Sequence, residues 1–273
     1  MTDATSLSTL PRFGVLALAA ALAACSGGSE LPNGGISGGE GTGTGSGGQF
    51  GSTTAEGVYG GSLSGGSFGS MVMAVLENGS FWQFYGRGTT AALDVAGFIQ
   101  GTGSSNAGAF LSADALDFGL VPAAAATVTA TYTSTPTITG SVTEGVQSIS
   151  FTGTAIADST YDYGKAPSLA DIEGTWNVNS MSGVATTLVF DAAGAFTGTD
   201  TVGCTLSGDA TTRASGKNVF NVRIVIGPAP CPAPGTTLSG IALVMPATSG
   251  TTTLLVGAVD SSRSIGFGAS GTR

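Results

Sequence analysis

The chain has 273 residues, of which 46 are glycine, only 9% are charged and none is histidine; its net charge is −9. Without histidine a Ser-His-Asp triad cannot be assembled. The acidic balance turns away nucleic acid and anionic headgroups, both of which select basic patches, and no motif for a cofactor is present.

The chain opens on MTDATSLSTLPR, which carries Arg12 and also Asp3. Phe13 to Ala24 then runs twelve residues without a charge. A spanning helix needs about 20 apolar residues, so this run fits the core of a cleaved export signal and not a membrane anchor. It closes on Leu22-Ala23-Ala24-Cys25, which resembles the lipobox of bacterial lipoproteins. The resemblance implies that residues 1–24 are a signal peptide, that cleavage falls before Cys25, and that Cys25 carries a diacylglycerol and an amide-linked acyl chain. Each buried methylene contributes about 0.8 kcal/mol, so two or three chains make membrane attachment lasting where one would not. Ser26 follows the cysteine in place of an aspartate, which in the enteric sorting pattern implies the outer membrane. The plain alternative is a buried alanine-rich helix with an incidental cysteine.

Residues 25–54 are dominated by glycine and serine. Such a tract lacks the apolar content that offsets chain entropy and is expected to be a flexible tether with a reach on the order of 30 Å. Glycine-rich tethers after a lipidated cysteine resemble those of surface lipoproteins such as transferrin-binding protein B and factor H-binding protein.

The remainder repeats itself. Ala55-Glu56-Gly57-Val58-Tyr59 answers Ile172-Glu173-Gly174-Thr175-Trp176 at an offset of 117, and Ser148-Ile149-Ser150-Phe151 answers Ser264-Ile265-Gly266-Phe267 at 116. Between them, Ala74 to Phe81 matches Leu188 to Phe196, with one extra residue expected in the second turn. Two related units follow, 55–157 and 171–273, joined by a linker at 158–170. Strands are predicted at 57–63, 70–76, 80–85, 93–100, 107–118, 126–133, 137–142 and 147–154. In the second unit they fall at 174–181, 185–190, 195–202, 205–211, 218–227, 237–245, 251–259 and 264–269. Valine, isoleucine, threonine and aromatics alternate there between glycine-bearing turns. Asn78-Gly79 is the strongest two-residue hairpin signal. No helix is expected. The fold class is all-β: two antiparallel units of about eight strands, each an up-and-down barrel or a compact sandwich.

Gly174-Thr175-Trp176, followed by a hairpin ending in Phe196-Thr197-Gly198-Thr199, is similar to the opening of avidin-type and lipocalin-type barrels. The resemblance implies an aromatic sealing one barrel end, with Tyr59 in that place in the first unit. Biotin binding is not implied, since Trp82 and Trp176 are the only tryptophans. An integral outer-membrane barrel is disfavoured because the predicted strands are short and the chain ends in Ser270-Gly271-Thr272-Arg273, without a terminal aromatic.

Cys204 and Cys231 flank the strand at 218–227 and are expected to pair in an oxidising compartment, the alternative being two buried thiols. Pro228, Pro230, Pro232 and Pro234 mark a stiff loop around Cys231. Asp114 with Asp117, and Asp158 with Asp162, offer carboxylates to calcium, but solvated turn acids are the simpler reading. Met71 and Met73 read as core filler. Lys165 and Lys217, the candidates for Ser-Lys catalysis, lie in glycine-bearing stretches expected to be exposed. Phe81-Trp82-Gln83-Phe84-Tyr85 places aromatics on both strand faces, as barrel filling or as an exposed contact patch.

Two functions are compatible with this. One is a lipid-anchored, non-catalytic outer-membrane lipoprotein whose barrel ends and loops, such as 86–92 and 227–236, bind a protein, glycan or small ligand or serve as scaffold. The other is a hydrolase built on carboxylates. Paired carboxylates would favour the second, an apolar pocket or flat aromatic patch the first.

Overall fold

Alternation of apolar residues with threonine and serine shapes almost every element. In Ala124–Tyr132, Ala126, Val128, Ala130 and Tyr132 are buried while Thr127, Thr129 and Thr131 are exposed, the two-residue period of a half-wetted strand. The computed structural model describes residues 54–133, 136–158, 160–246 and 250–273. Leu22 to Cys25 and all of the tether but Thr54 lie outside them.

The first unit comprises β1 (Gly57–Ser64), β2 (Ser70–Val75), β3 (Ser80–Thr89), β4 (Ala92–Thr102), β5 (Ser104–Asn106), β6 (Ala109–Asp117), β7 (Ala124–Tyr132), β8 (Thr137–Glu144) and β9 (Gln147–Ala155). The second comprises β10 (Gly174–Ser180), β11 (Ala185–Phe190), β12 (Ala195–Asp200), β13 (Thr205–Thr212), β14 (Phe220–Ile226), β15 (Thr237–Pro246), β16 (Thr252–Val259) and β17 (Gly266–Thr272). All pair antiparallel with their neighbours; β17 returns to β10 and β6 reaches back to β4, so each unit is a closed barrel and not a sandwich. In the first barrel β5 continues β4 past Gly103. Ile99 and Gln100 of β4 pair with Asp117 and Leu116 of β6, and Ser104 to Asn106 resume the ladder. Across the interruption, where β6 slips register, Thr102 N donates to Asp114 Oδ1 at 2.8 Å. A side chain there replaces a ladder bond, and the barrel is eight-stranded in substance.

Several local expectations are corrected. The loop at Asn78-Gly79 has three residues: Leu76 N donates to Ser80 O, and only Gly79 takes positive φ, at 80°. Asp191 to Ala195 forms the same loop around Gly194 at φ 84°, so there is no extra residue in the second turn. The length difference lies one hairpin earlier, where Gly57 pairs with Val75 but Gly174 with Phe190. Two-residue turns are found instead at Thr90-Ala91, Ala107-Gly108 and Gly145-Val146, and of these Ala107-Gly108 has φ of 47° and 85°. Ala107-Gly108 takes the first two residues of the strand expected at 107–118, which begins at Ala109, because positive φ at both positions suits the twist of a hairpin. Strands also reach 11 residues in β4, so length does not argue against a membrane barrel. A short helix, α1 (Leu169–Ile172), is present where none was expected. Ser168 and Asp171 cap it reciprocally, and such a box compensates for one turn's poor intrinsic stability.

The repeat is expressed at the base of each barrel, the end where β1 and β10 begin. Tyr59 Oη donates to Ala55 O at 3.0 Å, and Trp176 Nε1 donates to Ile172 O at 2.7 Å. Each aromatic thus satisfies its polar tip on a carbonyl four residues back while its ring closes the barrel. Arg273 lies over the Trp176 ring, 4.3 Å from its centroid, and donates to Asp171 O and Glu173 O.

The two barrels share a core. Trp82, Phe84, Phe98 and Phe118 point out of the first barrel and pack with Ile241, Leu243, Met245 and Leu255 on the outside of the second. Phe81 and Tyr85 take the opposite face of β3 and fill the first interior. Trp82 and Phe84 are therefore neither barrel filling nor an exposed patch. Glycines make the second wall concave: a Cβ on Gly257 would stand 2.8 Å from the Phe84 ring, and one on Gly268 2.9 Å from Phe98. Tyr161 and Tyr163 of the connecting segment are buried in the same cluster. Around it, Val95 N donates to Ser270 Oγ at 3.0 Å, Arg213 pairs with Glu77 at 2.6 Å, and Arg263 donates to Gln100 O and Asp114 O at 2.6 and 2.8 Å.

A shared core predicts joint unfolding. Phe84→Ala is expected to cost about 3–5 kcal/mol and Gly257→Val about 1–3 kcal/mol. Both should be read in denaturant melts in which Trp82, at the junction, and Trp176, at the second base, report one transition. Two separate transitions would show the barrels to be independent. Cys204 and Cys231 form a disulfide with Cα atoms 4.5 Å apart and a sequence separation of 27. Removing it is expected to lower stability by about 3 kcal/mol through loop-closure entropy, measurable as a lower denaturant midpoint for the Cys204→Ala, Cys231→Ala double variant.

Candidate functional site at the mouth of the first barrel

The end opposite the base, where β3, β6 and β8 finish, differs between the barrels. In the second, the proline-bearing loop 227–236 folds over the opening. Cys204 and Cys231 are buried within the barrel's apolar cluster, and Ala233 packs on it. Beneath this lid the interior leaves a cavity of about 10 Å³ lined by Leu188, Phe190, Phe196 and other apolar side chains. That is room for one water at most, and it offers water no polar partner. The second barrel is a solid body.

The first barrel carries polar groups inward at the same end. Gln83 and Tyr85 are successive inward residues of β3, and Asp117 and Glu144 end β6 and β8. Tyr85 Oη donates to Asp117 Oδ1 at 2.6 Å, and Gly119 N donates to the same oxygen at 2.7 Å. The hydroxyl fits only because two glycines flank it: a Cβ on Gly97 or Gly119 would lie 2.3 or 1.9 Å from Tyr85 Oη. Opposite the step from Tyr85 to Gly86, β4 carries an extra residue, Ala96, and such a bulge bends its strand beside Tyr85.

Asp117 is 6% exposed, whereas Glu144 is half-buried at the rim. Burial, then the hydrogen bond to Asp117 and its charge, push the Glu144 carboxyl up to about 7. A neighbouring carboxylate disfavours the charged form of Glu144, which therefore keeps its proton toward neutrality. Tyr85 is held protonated far above its ordinary range by burial and by Asp117. Phe68 packs on Tyr85 with ring centroids 5.4 Å apart, and Arg87 lies over Phe68 at 5.7 Å. The arrangement can exchange a proton near neutrality and accept hydrogen bonds from a cation.

The structure separates Asp114 from Asp117. Asp114 is exposed, stitches the β4–β6 interruption, and lies 3.6 Å from Arg263. Asp117 turns inward and joins Glu144. Asp158 and Asp162 line a cleft of about 350 Å³ together with Lys165 and Arg273. Asp162 Oδ1 accepts from Gly164 N at 2.9 Å, closing a turn. Among the described residues no three His, Cys, Asp or Glu side chains converge on a metal position. Met71 and Met73 are core residues of the first barrel. Lys217 is not free for catalysis, since it pairs with Glu56 at 2.9 Å across the barrel junction and lies over Tyr163. Lys165 is exposed beside the cleft. Sequence reasoning missed Glu144, although it shares inward parity with Ile138 and Val142 on β8, and an acid at an inward strand position was the available signal.

Comparison with protein-family models, curated proteins and solved structures finds no match.

The pH dependence of stability follows from Glu144. Its folded-state pKa is raised above the ordinary 4.5 to about 7, so the folded state holds its proton more tightly than the unfolded chain. The stabilisation is complete below pH 4.5 and lost as pH rises toward 7. Denaturation midpoints should fall across that window in the parent and show a smaller fall in Glu144→Gln.

Proposed function

We propose that the chain is a cell-envelope lipoprotein, acylated at Cys25 and held at the outer membrane, that works by binding or scaffolding and not by catalysis. The observation that carries the non-catalytic part is the packing: one barrel is filled and lidded, and the two share a common apolar core. Such a body offers rims, loops and one polar mouth to a partner. A buried disulfide in the second barrel suits an exported chain. The outer faces support a wetted body over a lipid-embedded one. Exposed positions of β7, β12 and β13 are rich in threonine, serine and aspartate, and the interiors are apolar, the reverse of a barrel that spans a bilayer.

A second reading, a hydrolase, is favoured by one observation, the Asp117–Glu144 pair. Glu144 would act as proton donor, and Asp117 as the carboxylate that holds it ready.

The anchor is tested by feeding labelled palmitate to cells expressing the full chain. The parent is expected to take up label and sediment with outer membranes, and Cys25→Ser to do neither. An unlabelled parent, or a Cys25→Ser variant that still sediments with membranes, would overturn the reading.

A further inference from the structure

Among the described residues all basic side chains but one have a partner. Arg213, Lys217, Arg223 and Arg263 are ion-paired to Glu77, Glu56, Asp209 and Asp114. Arg87 lies over Phe68, and Arg273 lies over Trp176 with the Asp171 and Glu173 carbonyls on its guanidinium. Lys165 is the exception: its ammonium has no ion pair, ring or hydrogen-bond partner among those residues. The Asp158 carboxylate has none there either.

Both groups line the same cleft, of about 350 Å³ at the base of the second barrel, where Asp162, Asp171 and Arg273 line it too. Its volume is in the range of small-molecule sites, roughly 300–1,000 Å³, and Pro167, Val244 and Pro246 give it an apolar side. Among the described residues no carboxylate of the cleft is ion-paired to Lys165 or Arg273, so opposite charges share one cleft without cancelling in contact. The backbone that carries them is fixed. Asn218 N donates to Tyr163 O and Asn218 Nδ2 to Asp162 O, both at 3.0 Å. Tyr161 Oη donates to Asn218 O, and both tyrosines are buried in the shared core. Lys165 N donates to Asp162 O at 3.2 Å, which sets the turn that brings Lys165 beside Asp162. Asp171 is taken up by the cap of α1 and Arg273 by its two carbonyls. Asp158, Asp162 and Lys165 keep capacity for a ligand, since Asp162 spends one of its roughly four acceptor positions on Gly164 N. A site held this way orders few groups on binding.

A ligand of one sign meets repulsion here, an anion from the aspartates and a cation from Lys165 and Arg273. A metal ion is not gathered either, because among the described residues no three acids converge on one position. We infer that this cleft binds a short zwitterionic peptide of dipeptide size, its ammonium on Asp158 and Asp162 and its terminal carboxylate on Lys165, drawn also by the charge of Arg273. Small apolar side chains suit the side formed by Pro167, Val244 and Pro246. Two residues hold the ligand's charges up to about 7 Å apart when extended, which a single amino acid cannot do, and protein charges that do not touch one another call for that separation. The assignment rests on the binding role proposed above and names a ligand for it; it draws on neither the lipid anchor nor the acid pair of the first barrel.

The test is calorimetric titration of the full-length protein in detergent with alanyl-alanine at about pH 6.5, where both termini of the dipeptide are charged. Saturable binding is expected. N-acetyl-alanyl-alanine, which lacks the ammonium, and alanyl-alanine amide, which lacks the carboxylate, should each bind at least about tenfold more weakly, the scale of one lost charge-assisted bond. Lys165→Met should weaken alanyl-alanine about tenfold and erase the further penalty of amidation, and Asp158→Asn should do the same for acetylation, as coupled partners do. Both side chains are exposed, so melting temperatures should stay at the parent value and a loss of affinity reads as a lost contact. Cys25→Ser should bind as the parent does, so that failure of this site and failure of the anchor are read separately. No saturable heat, capped dipeptides or acetate binding as tightly as alanyl-alanine, or parent-like affinity in both Lys165→Met and Asp158→Asn would overturn the inference.

Discussion

The contact on which the structure depends is the seating of Trp82, Phe84, Phe98 and Phe118 against a wall thinned by Gly257, Gly266 and Gly268. Burying a large apolar side chain is worth about 1.5–3 kcal/mol, and four of them in one place outweigh any of the ion pairs around them. Those pairs set register. Arg213 with Glu77, Lys217 with Glu56, and Arg263 on the β4–β6 interruption all join one barrel to the other. Three of the chain's eight basic residues are used this way, which leaves little charge for chemistry. The second barrel also covers a liability of the first. The upper half of β4 has no ladder partner on one side, and β17 lies there, offering Ser270 Oγ to Val95 N, so an open strand edge is hidden.

Two barrels of one plan have been finished differently. Both close their bases with an aromatic whose polar tip bonds four residues back. At the other end the second is stoppered by a disulfide-held loop, while the first keeps a glutamine, a tyrosine and two acids facing inward. The unequal finishing leaves one barrel filled with apolar side chains and the other with polar groups at its rim. The burial of Gln83 and Asp117 costs stability that the shared apolar core offsets.

Much of the fold was legible because its signal is local. Period-two alternation in β7, β12 and β14 and the glycines at turn positions placed nearly all strands within a few residues. Tyr59 and Trp176 at matching offsets exposed the repeat. What was not legible depends on register and on the partner barrel. Asn78-Gly79 looks like a two-residue turn by composition, but whether a loop holds two or three residues is fixed by which side chains must face inward. Phe81 to Tyr85 announces two apolar faces without saying that the second belongs to another barrel. Asp117 and Glu144 lie 27 positions apart, on strands separated by β7, and only the pairing of both strands with β7 brings them to one rim.

Ala55 lies at the base of the first barrel, held there by Tyr59 Oη on its carbonyl and by Ser105 Oγ on its amide. The chain therefore enters the folded body at one pole, while Glu144 sits at the other. With strands of about eight residues tilted as barrel strands are, the poles stand on the order of 20 Å apart. Anything upstream of Ala55 therefore meets the folded body at its floor, the pole away from the acid-lined opening, and leaves that opening uncovered by the entering backbone.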